Sequence, residues 1–189
     1  CHAFGGDVTS GATAVPLARL MARKGSAVLV ALTGTSVDID ATLGELTPVG
    51  ITDILAGRGA FGEAIHRDLT SRLHVIPFGA SGHDADLEID AEAPVFRSVV
   101  DALVQTYDFV LLSAGALGEP LDSVLPMEDA ILMIASEDDA DPDVARAFGE
   151  LDAIRPGCVT IVVEEPAIPP PRPANDRVSA AASAAREPA

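Results

Sequence analysis

Five short runs of consecutive apolar residues constrain the fold of this chain more than any other feature. They are Val28–Leu32, Leu73–Phe78, Phe109–Leu112, Ile131–Ala135 and Val159–Val163. Each run is shorter than a typical helix, and few of its residues are polar. Strands covered on both faces have this pattern, because neither side of the strand meets water. The runs therefore predict five buried strands.

Amphipathic stretches separate these runs and predict helices. One apolar face repeats at helical spacing before the third run. It consists of Phe96, Val99, Val100, Leu103, Val104 and Tyr107. A second helix is predicted after Pro142, and a third over Thr13–Lys24, with Pro16 near its start and Gly25 at its end. Strands that alternate with helices predict an α/β fold, with a mainly parallel sheet between helical layers.

The length of 189 residues fits a single domain. We expect residues 1–165 to form it, with His2–Phe4 as the remnant of a truncated first strand. Residues 166–189 are rich in Pro, Ala and Ser and offer little to bury, so they predict a disordered tail or linker. Because the chain starts at Cys1 without Met, we also expect it to be a fragment.

The charge balance excludes several classes of partner. With 12 basic and 29 acidic residues the net charge is −17, whereas proteins that bind nucleic acid or anionic lipid need a basic surface.

No apolar run approaches the roughly 20 residues of a membrane helix, so no membrane insertion is expected. The two cysteines, Cys1 and Cys158, are too few for a disulfide framework or a structural zinc site. We expect a cytoplasmic location, and tethering to the inner membrane through a partner or a region before Cys1 stays open.

A glycine-rich turn lies between the first strand remnant and the first helix. Residues Gly6–Thr13 have the spacing of a phosphate-binding loop, G-x-x-x-x-G-K-[ST], in which backbone N–H groups hold the phosphates and a Lys reaches the terminal ones. Ala12 stands at the position of the Lys, and Thr13 keeps the hydroxyl that would bind magnesium. The candidate binding residues are Gly6, Thr9, Ser10, Gly11, Ala12 and Thr13. A turn of the same kind without a ligand remains the alternative.

Three segments together resemble one protein family. They are GDVTSGATAVPLARLMARKGSAVLVAL, PVGITDILAGRGAFGEAI with LHVIPFGAS, and YDFVLLSAG with EDAILMIAS. These segments are similar to the phosphate loop, middle segment and later strands of bacterial tyrosine kinases (BY-kinases), which regulate the synthesis and export of capsular and extracellular polysaccharides. The resemblance runs from Cys1 to about Glu165. It implies the P-loop fold of the deviant-Walker ATPases, which include partition and division-site proteins.

The departures from the family pattern fall on its charged residues. An Asp-x-Asp motif that serves magnesium and catalysis in the family is replaced here by Ala31 and Thr33, and the Walker B Asp by Ser113. Together with Ala12, these changes leave nothing evident to hold magnesium or to balance a triphosphate. The family's C-terminal tyrosine cluster is missing too, since Tyr107 is the only tyrosine and its helical phase predicts a buried position. The resemblance therefore implies a pseudoenzyme with no catalytic residue, metal site or cofactor.

We expect a non-catalytic BY-kinase-like domain that acts as an interaction module in polysaccharide assembly or export. Its partners would be copies of itself or a membrane-embedded polysaccharide co-polymerase. Two alternatives remain open. One is an active tyrosine kinase or ATPase, dependent on ATP and magnesium and completed by a partner chain. The other is a partition- or pilus-type positioning ATPase.

Two acidic stretches are predicted to be solvated or to cap a helix, in preference to binding a metal. His83–Glu92 carries five carboxylates at alternate positions but lacks the spacing of a known calcium loop, so a solvated segment is favoured. The cluster at Glu137–Asp143 precedes the helix at Val144, where carboxylates stabilise the positive helix end, and an acidic interface stays open there. Cys158 begins an apolar strand and is expected to be a small buried residue.

Overall fold

Strands and helices alternate along the chain. A computed structural model describes residues 2–5, 10–34, 39, 42–43, 49–79, 89–90, 93–114, 131–135, 142–154 and 156–163. The strands are β1 (His2–Gly5), β2 (Ala27–Ala31), β3 (His66–Arg67), β4 (His74–Ile76), β5 (Phe109–Ser113), β6 (Ile131–Ala135) and β7 (Val159–Val163). The helices are α1 (Ser10–Ala22), α2 (Ile51–Leu55), α3 (Phe61–Ala64), α4 (Pro94–Thr106) and α5 (Pro142–Ile154).

All seven strands form one sheet, in the order β3-β4-β2-β5-β1-β6-β7. Neighbouring strands are parallel, except that the short edge strand β3 pairs antiparallel with β4. The predicted mainly parallel α/β sheet is therefore confirmed. Because six strands run in the same direction, their carboxyl ends share one side of the sheet, which we call the carboxyl edge. The opposite side, where these strands begin, is the amino edge.

The centre of the sheet is buried on both faces. Every residue of β2 is at most 1% exposed. A single cluster joins this strand to its neighbours β4 and β5 and to apolar residues of α1 and α4. It consists mainly of Val, Leu, Ile and Ala, as the 4% aromatic content requires. Burial of one of its larger aliphatic side chains contributes about 1.5–3 kcal/mol to the free energy of unfolding. The cluster therefore holds the central strands in place.

Helix α1 and strand β4 differ from the prediction by more than one residue at a boundary, and β2 and β5 by one residue. Helix α1 starts at Ser10, three residues earlier than expected, so Pro16 lies in its second turn and not near its start. Proline has no N–H group, and the carbonyl of Ala12 therefore lacks the usual donor four residues on. Strand β4 ends at Ile76, before the end of the predicted run, because the next residue, Pro77, cannot donate a ladder hydrogen bond.

The predicted apolar face of α4 is wrong at Val104 and at Tyr107. Its buried members are Phe96, Val99, Val100 and Leu103. Val104 is 61% exposed, because it lies about 80° around the helix axis from Phe96. Tyr107 follows the helix in an extended conformation, with φ −117° and ψ 142°, and is half-buried. Cys158 precedes β7 and is half-buried as well, and not fully buried as expected.

The predicted boundary at residue 165 and the predicted tail over 166–189 lie outside the described residues, which end at Val163. Both stay predictions. Within the described ranges, no helix combines the length and the hydropathy that crossing a bilayer requires.

Candidate functional site

The carboxyl edge of the central strands brings together the positions that the resemblance singled out. Ser113, the last residue of β5, lies opposite Ala31 of β2 on one side and Ala3 of β1 on the other. The Leu32 N–H donates to the Ser113 carbonyl at 2.8 Å, so the two strands stay paired past the end of β2. Ala31 and Ser113 are each 1% exposed, and Thr33 beyond them is half-buried. A methyl group and hydroxyls therefore stand where the resemblance expected carboxylates.

Helix α1 begins at the same edge, because it follows β1 along the chain. Ser10–Thr13 form its first turn, and the N–H groups of a first turn have no acceptor within their own helix. Together with the positive end of the helix dipole, such a turn favours an anion. Gly6 and Thr9 lie outside the described residues. The turn thus offers backbone donors without a cationic side chain, and ligand binding by the six candidate residues stays a prediction.

Three connections at the carboxyl edge are strongly acidic. They span 33–49, 80–92 and 136–141, and each joins the carboxyl end of a strand to the start of a helix. In sequence they carry twelve Asp and Glu residues and neither Lys nor Arg. Nearly all of these carboxylates lie outside the described residues, so a repulsion between them and a bound polyphosphate stays a prediction from the sequence.

Helix α2 is anchored to the end of β4 at this edge. The Ile51 N–H donates to the Pro77 carbonyl at 2.9 Å, and the Thr52 N–H and hydroxyl donate to the Phe78 carbonyl at 3.0 and 2.8 Å. The Asp53 carboxylate accepts a 3.0 Å hydrogen bond from the Gly50 N–H. Residues 50–53 (GITD), which carried much of the resemblance, thus have a structural role, because they fix the start of α2 to the end of β4. An acidic residue three positions after the residue that precedes a helix is a signal for a helix start, and the sequence analysis did not use it.

The only tyrosine of the chain is held by a neighbour. The Tyr107 hydroxyl and His74 Nδ1 share a 2.6 Å hydrogen bond, and the two rings meet edge to face with centroids 5.5 Å apart. Burial raises the pKa of Tyr107 above its usual value. Both residues lie near the amino edge, where β4 begins and α4 ends, and so are remote from the glycine-rich turn. Tyr107 is therefore a packing residue at the opposite side of the sheet.

Another interaction near the amino edge was missed by the sequence analysis. Arg19 of α1 donates two hydrogen bonds to Asp68, from Nε at 3.0 Å and from the guanidinium end at 2.8 Å. The side chain of Asp68 is 0% exposed, and the hydroxyls of Thr70 and Ser71 also donate to it. No local spacing could have indicated this pair, because its members are 49 residues apart.

The two acidic stretches weighed as metal sites fall mostly outside the described residues. Asp90 of the first stretch is described and exposed. Among the residues that the structure does describe, no three His, Cys, Asp or Glu side chains are grouped so that they could hold a metal ion.

Comparison with known proteins supports the fold. No protein-family model and no curated protein matches the sequence. The solved kinase domain of VpsO is similar with a TM-score of 0.70 at 13% identity, over 87% of this chain and 85% of that one. The MinD cell division protein of Aquifex aeolicus has a TM-score of 0.65 at 18% identity, over 86% of this chain and 69% of its own. A plasmid partition protein of Borrelia burgdorferi has a TM-score of 0.63 at 14% identity, over 86% of this chain and 79% of that protein's chain. At these identities the likeness establishes the fold, which is that of the P-loop ATPases.

Proposed function

We propose that this chain is a catalytically degenerate BY-kinase-like domain that acts as an interaction and regulatory module in the biosynthesis and export of exopolysaccharide or capsule. One observation carries the proposal. At the carboxyl edge of a P-loop fold, where such a protein would bind its nucleotide, Ala31 pairs with Ser113, so neither strand end supplies a carboxylate.

The chemistry of phosphoryl transfer explains why this arrangement favours a non-catalytic role. A transferred phosphoryl group needs a bound metal and cationic groups that balance its charge. A charge-assisted hydrogen bond of the kind lost with Ala12 contributes roughly 1.5–3 kcal/mol, which is a tenfold to hundredfold effect on nucleotide affinity. The loss of carboxylates at Ala31 and Ser113 removes the metal ligands in addition. The proposal therefore includes no cofactor.

The assignment to polysaccharide export rests on the resemblance to BY-kinases and on the fold shared with the VpsO kinase domain. In this proposal the domain works on the cytoplasmic side of the inner membrane. Its partners are copies of itself or a membrane-embedded polysaccharide co-polymerase.

Calorimetric titration with ATP and ADP, with and without Mg²⁺, tests the nucleotide part of the proposal. We expect no binding heat up to millimolar nucleotide and no shift in the thermal midpoint. The matched control is the variant Ala12→Lys combined with Ser113→Asp, which should bind Mg-ATP more tightly than the natural chain if lost charge is the cause. Micromolar, Mg²⁺-dependent binding by the natural chain would contradict the proposal. So would ATP hydrolysis that is abolished by Thr13→Ala.

Complementation tests the biological part. Deletion of the gene in its own host should reduce exported polysaccharide, and the natural chain and Thr13→Ala should restore it equally. Failure of Thr13→Ala alone would favour the second candidate, an ATPase or tyrosine kinase completed by a partner chain. That candidate draws on Thr13, the retained hydroxyl in the first turn of α1. Unchanged polysaccharide after deletion would instead favour a positioning role like that of partition proteins.

A further inference from the structure

The turn between β3 and β4 is tied to α1 at the amino edge of the sheet. Arg19 and Asp68 form an ion pair with an N···O distance of 2.8 Å, and the side chain of Asp68 is 0% exposed. The hydroxyl of Ser71 donates to the same carboxylate. The ion pair therefore holds the turn against the second half of α1. We call residues 67–72 together with 19–24 the arginine surface.

The arginine surface is basic, although the chain as a whole is strongly acidic. It carries five cations and one carboxylate, which leaves a formal charge of +4 against −17 for the whole chain. The carboxylate, Asp68, is enclosed and paired, so a partner meets little of its charge. The exposed cations are Arg23, Lys24, Arg67 and Arg72. The net charge argued against anionic lipid as a partner, but it averages over the whole surface, and this part of the surface has the opposite sign.

The cations at the end of α1 lie beside those of the turn. The Arg23 N–H donates to the Leu20 carbonyl at 3.2 Å, so the backbone keeps a helical turn past the end of α1. Residues three and four apart on a helix are neighbours, which places Arg23 beside Leu20 and Arg19. Because Arg19 itself contacts the turn, the exposed cations of both segments lie around one ion pair.

The same surface exposes two leucines. Leu69 is 73% exposed and Leu20 is 50% exposed, and each directly follows a member of the Arg19–Asp68 pair in sequence. Residues 67–72 also line an open hollow of about 570 Å³. Exposed apolar side chains among lysines and arginines are typical of segments that lie on a membrane, where the apolar groups enter the interface and the cations meet anionic lipids. Both features of the arginine surface fit an anionic lipid surface.

Screening limits the repulsion between the rest of the chain and such a membrane. Asp108 also lies at the amino edge, but it precedes β5, which β2 separates from β4, and its carboxylate accepts two hydrogen bonds from Ser26. Groups at the carboxyl edge lie farther away by the length of β2, which is about 13 Å for its five residues. Charges beyond about 8 Å are largely screened at physiological ionic strength. A membrane against the arginine surface therefore meets mainly the local positive charge.

We propose that the arginine surface lies directly on an anionic lipid membrane, with Arg67 and Arg72 at lipid phosphates and Leu69 in the headgroup region. The guanidinium fork matches a phosphate with two parallel hydrogen bonds. Each Lys or Arg close to an anionic membrane strengthens binding by about fivefold, so four exposed cations give reversible peripheral binding and not permanent anchoring. The inference goes beyond the proposed function, because it depends neither on the nucleotide site nor on a protein partner.

Flotation of the full chain with vesicles tests the contact. The natural chain should float with vesicles of phosphatidylcholine and phosphatidylglycerol but not with pure phosphatidylcholine, and about 0.5 M NaCl should release it, because the screening length is then about 4 Å. Arg67→Glu with Arg72→Glu should weaken binding at least tenfold. The control, Arg97→Glu with Arg146→Glu, makes the same change in net charge near the starts of α4 and α5, at the carboxyl edge, and should bind like the natural chain.

A single tryptophan shows which side chain enters the lipid interface. The chain has no Trp, so Leu69→Trp introduces one fluorophore at an exposed position. Its emission should shift to the blue when the anionic vesicles are added, because the indole ring leaves water for the interface.

The matched control is Val104→Trp on α4, where the natural side chain is 61% exposed. The chain crosses the sheet in opposite directions from β1 to β2 and from β4 to β5, so right-handed connections place α1 and α4 on opposite faces. The emission of Val104→Trp should therefore stay unchanged.

Three results would overturn the inference. They are a natural chain that does not float with the anionic vesicles, a variant with Arg67→Glu and Arg72→Glu that floats as well as the natural chain, and equal blue shifts from Val104→Trp and Leu69→Trp. Binding of the natural chain to polyglutamate without binding to vesicles would also overturn it, and would identify an acidic protein segment as the occupant. The nucleotide titration concerns the opposite edge of the sheet, so a failure of the proposed function and a failure of this inference are distinguishable.

Discussion

At the scale of single residues, Asp68 shows how an enclosed carboxylate stays ionised. Burial raises its pKa, but hydrogen bonds from Arg19, Ser71 and Thr70 outweigh burial and lower the pKa from 3.8 to about 2. The carboxylate therefore binds a proton less readily in the folded chain than in the unfolded chain. Its pairing stabilises the folded state fully above the unfolded pKa, and the contribution is lost as the pH falls towards the folded pKa.

This linkage gives a prediction for Asp68→Asn. The lowered pKa corresponds to about 2 kcal/mol, so the variant should lose about that much free energy of unfolding at pH 7. The difference in free energy of unfolding between the natural chain and the variant should become about half as large when the pH is lowered from 5 to 3. In this range the natural chain loses the stabilisation that its ionised Asp68 provides. Urea unfolding over this pH range measures both quantities.

The control for this prediction is Asp101→Asn, which removes an exposed carboxylate from α4. It should change the free energy of unfolding by less than about 0.5 kcal/mol. If the difference in free energy of unfolding between the natural chain and Asp68→Asn stayed constant down to pH 3, ionisation of Asp68 would not be what stabilises the turn.

At the scale of elements, the strands could be predicted because each combines continuous burial with short length. Runs such as Ile131–Ala135 and Val159–Val163 agree with β6 and β7 residue for residue. Strand β3 could not be predicted, because it has two residues and its pairing depends on the turn held by Asp68. The start of α1 was missed because a glycine-rich stretch is typical of a loop, whereas the helix includes Ser10–Ala12.

The candidate site was predictable in outline only. Strand ends could be read from the apolar runs, which placed Ala31 and Ser113 at the carboxyl edge. That these two residues lie directly opposite each other depends on the register of β2 and β5, which no local pattern encodes. The anchoring of α2 by Ile51 and Thr52 depends on the carbonyls of Pro77 and Phe78, each 26 residues away. Binding by the glycine-rich turn stays a prediction.

The junction between β4 and α2 gives a prediction at the same scale. Gly79 has φ +108°, and a Cβ there would lie 2.5 Å from Asp53 Oδ2 and 2.7 Å from Thr52 Oγ1. Gly79→Ala should therefore strain the backbone and displace both side chains, and we expect a loss of about 2–3 kcal/mol in the free energy of unfolding. Gly62→Ala is the matched control, because a Cβ there meets nothing within 4 Å and the residue is helical.

Urea unfolding of the two glycine variants measures this difference. Gly62→Ala should be neutral or slightly stabilising, since Ala has the higher helix propensity. If Gly79→Ala proved as stable as Gly62→Ala, the junction would be flexible enough to absorb a methyl group, and α2 would not be anchored as described.

At the scale of the whole molecule, the acidic residues are unevenly distributed. The residues near the amino edge include the cations Arg19, Arg23, Lys24, Arg67 and Arg72, whereas in sequence the connections 33–49, 80–92 and 136–141 carry twelve Asp and Glu residues and neither Lys nor Arg. A triphosphate site needs positive charge near the strand ends, and the sequence supplies no Lys or Arg in these three connections. This distribution is in line with the proposed non-catalytic role. The excess of acidic residues also lowers the free energy of unfolding, because like charges held close together in the folded state repel one another.

Because of this repulsion, we expect added salt to raise the free energy of unfolding of this protein. Raising NaCl from about 0.02 to 0.5 M shortens the screening length from over 20 Å to about 4 Å and should relieve the repulsion within a chain of net charge −17. We expect a gain of about 1 kcal/mol, which for a chain of this size raises the thermal midpoint by about 2–4 °C. Thermal unfolding in dilute solution, where copies do not associate, measures it. The variant Asp84→Asn, Asp86→Asn, Glu88→Gln should start with a higher midpoint and gain less from salt, because part of its repulsion is already gone. A natural chain whose midpoint falls with salt, or a variant that gains as much as the natural chain, would show that these carboxylates do not destabilise the folded state.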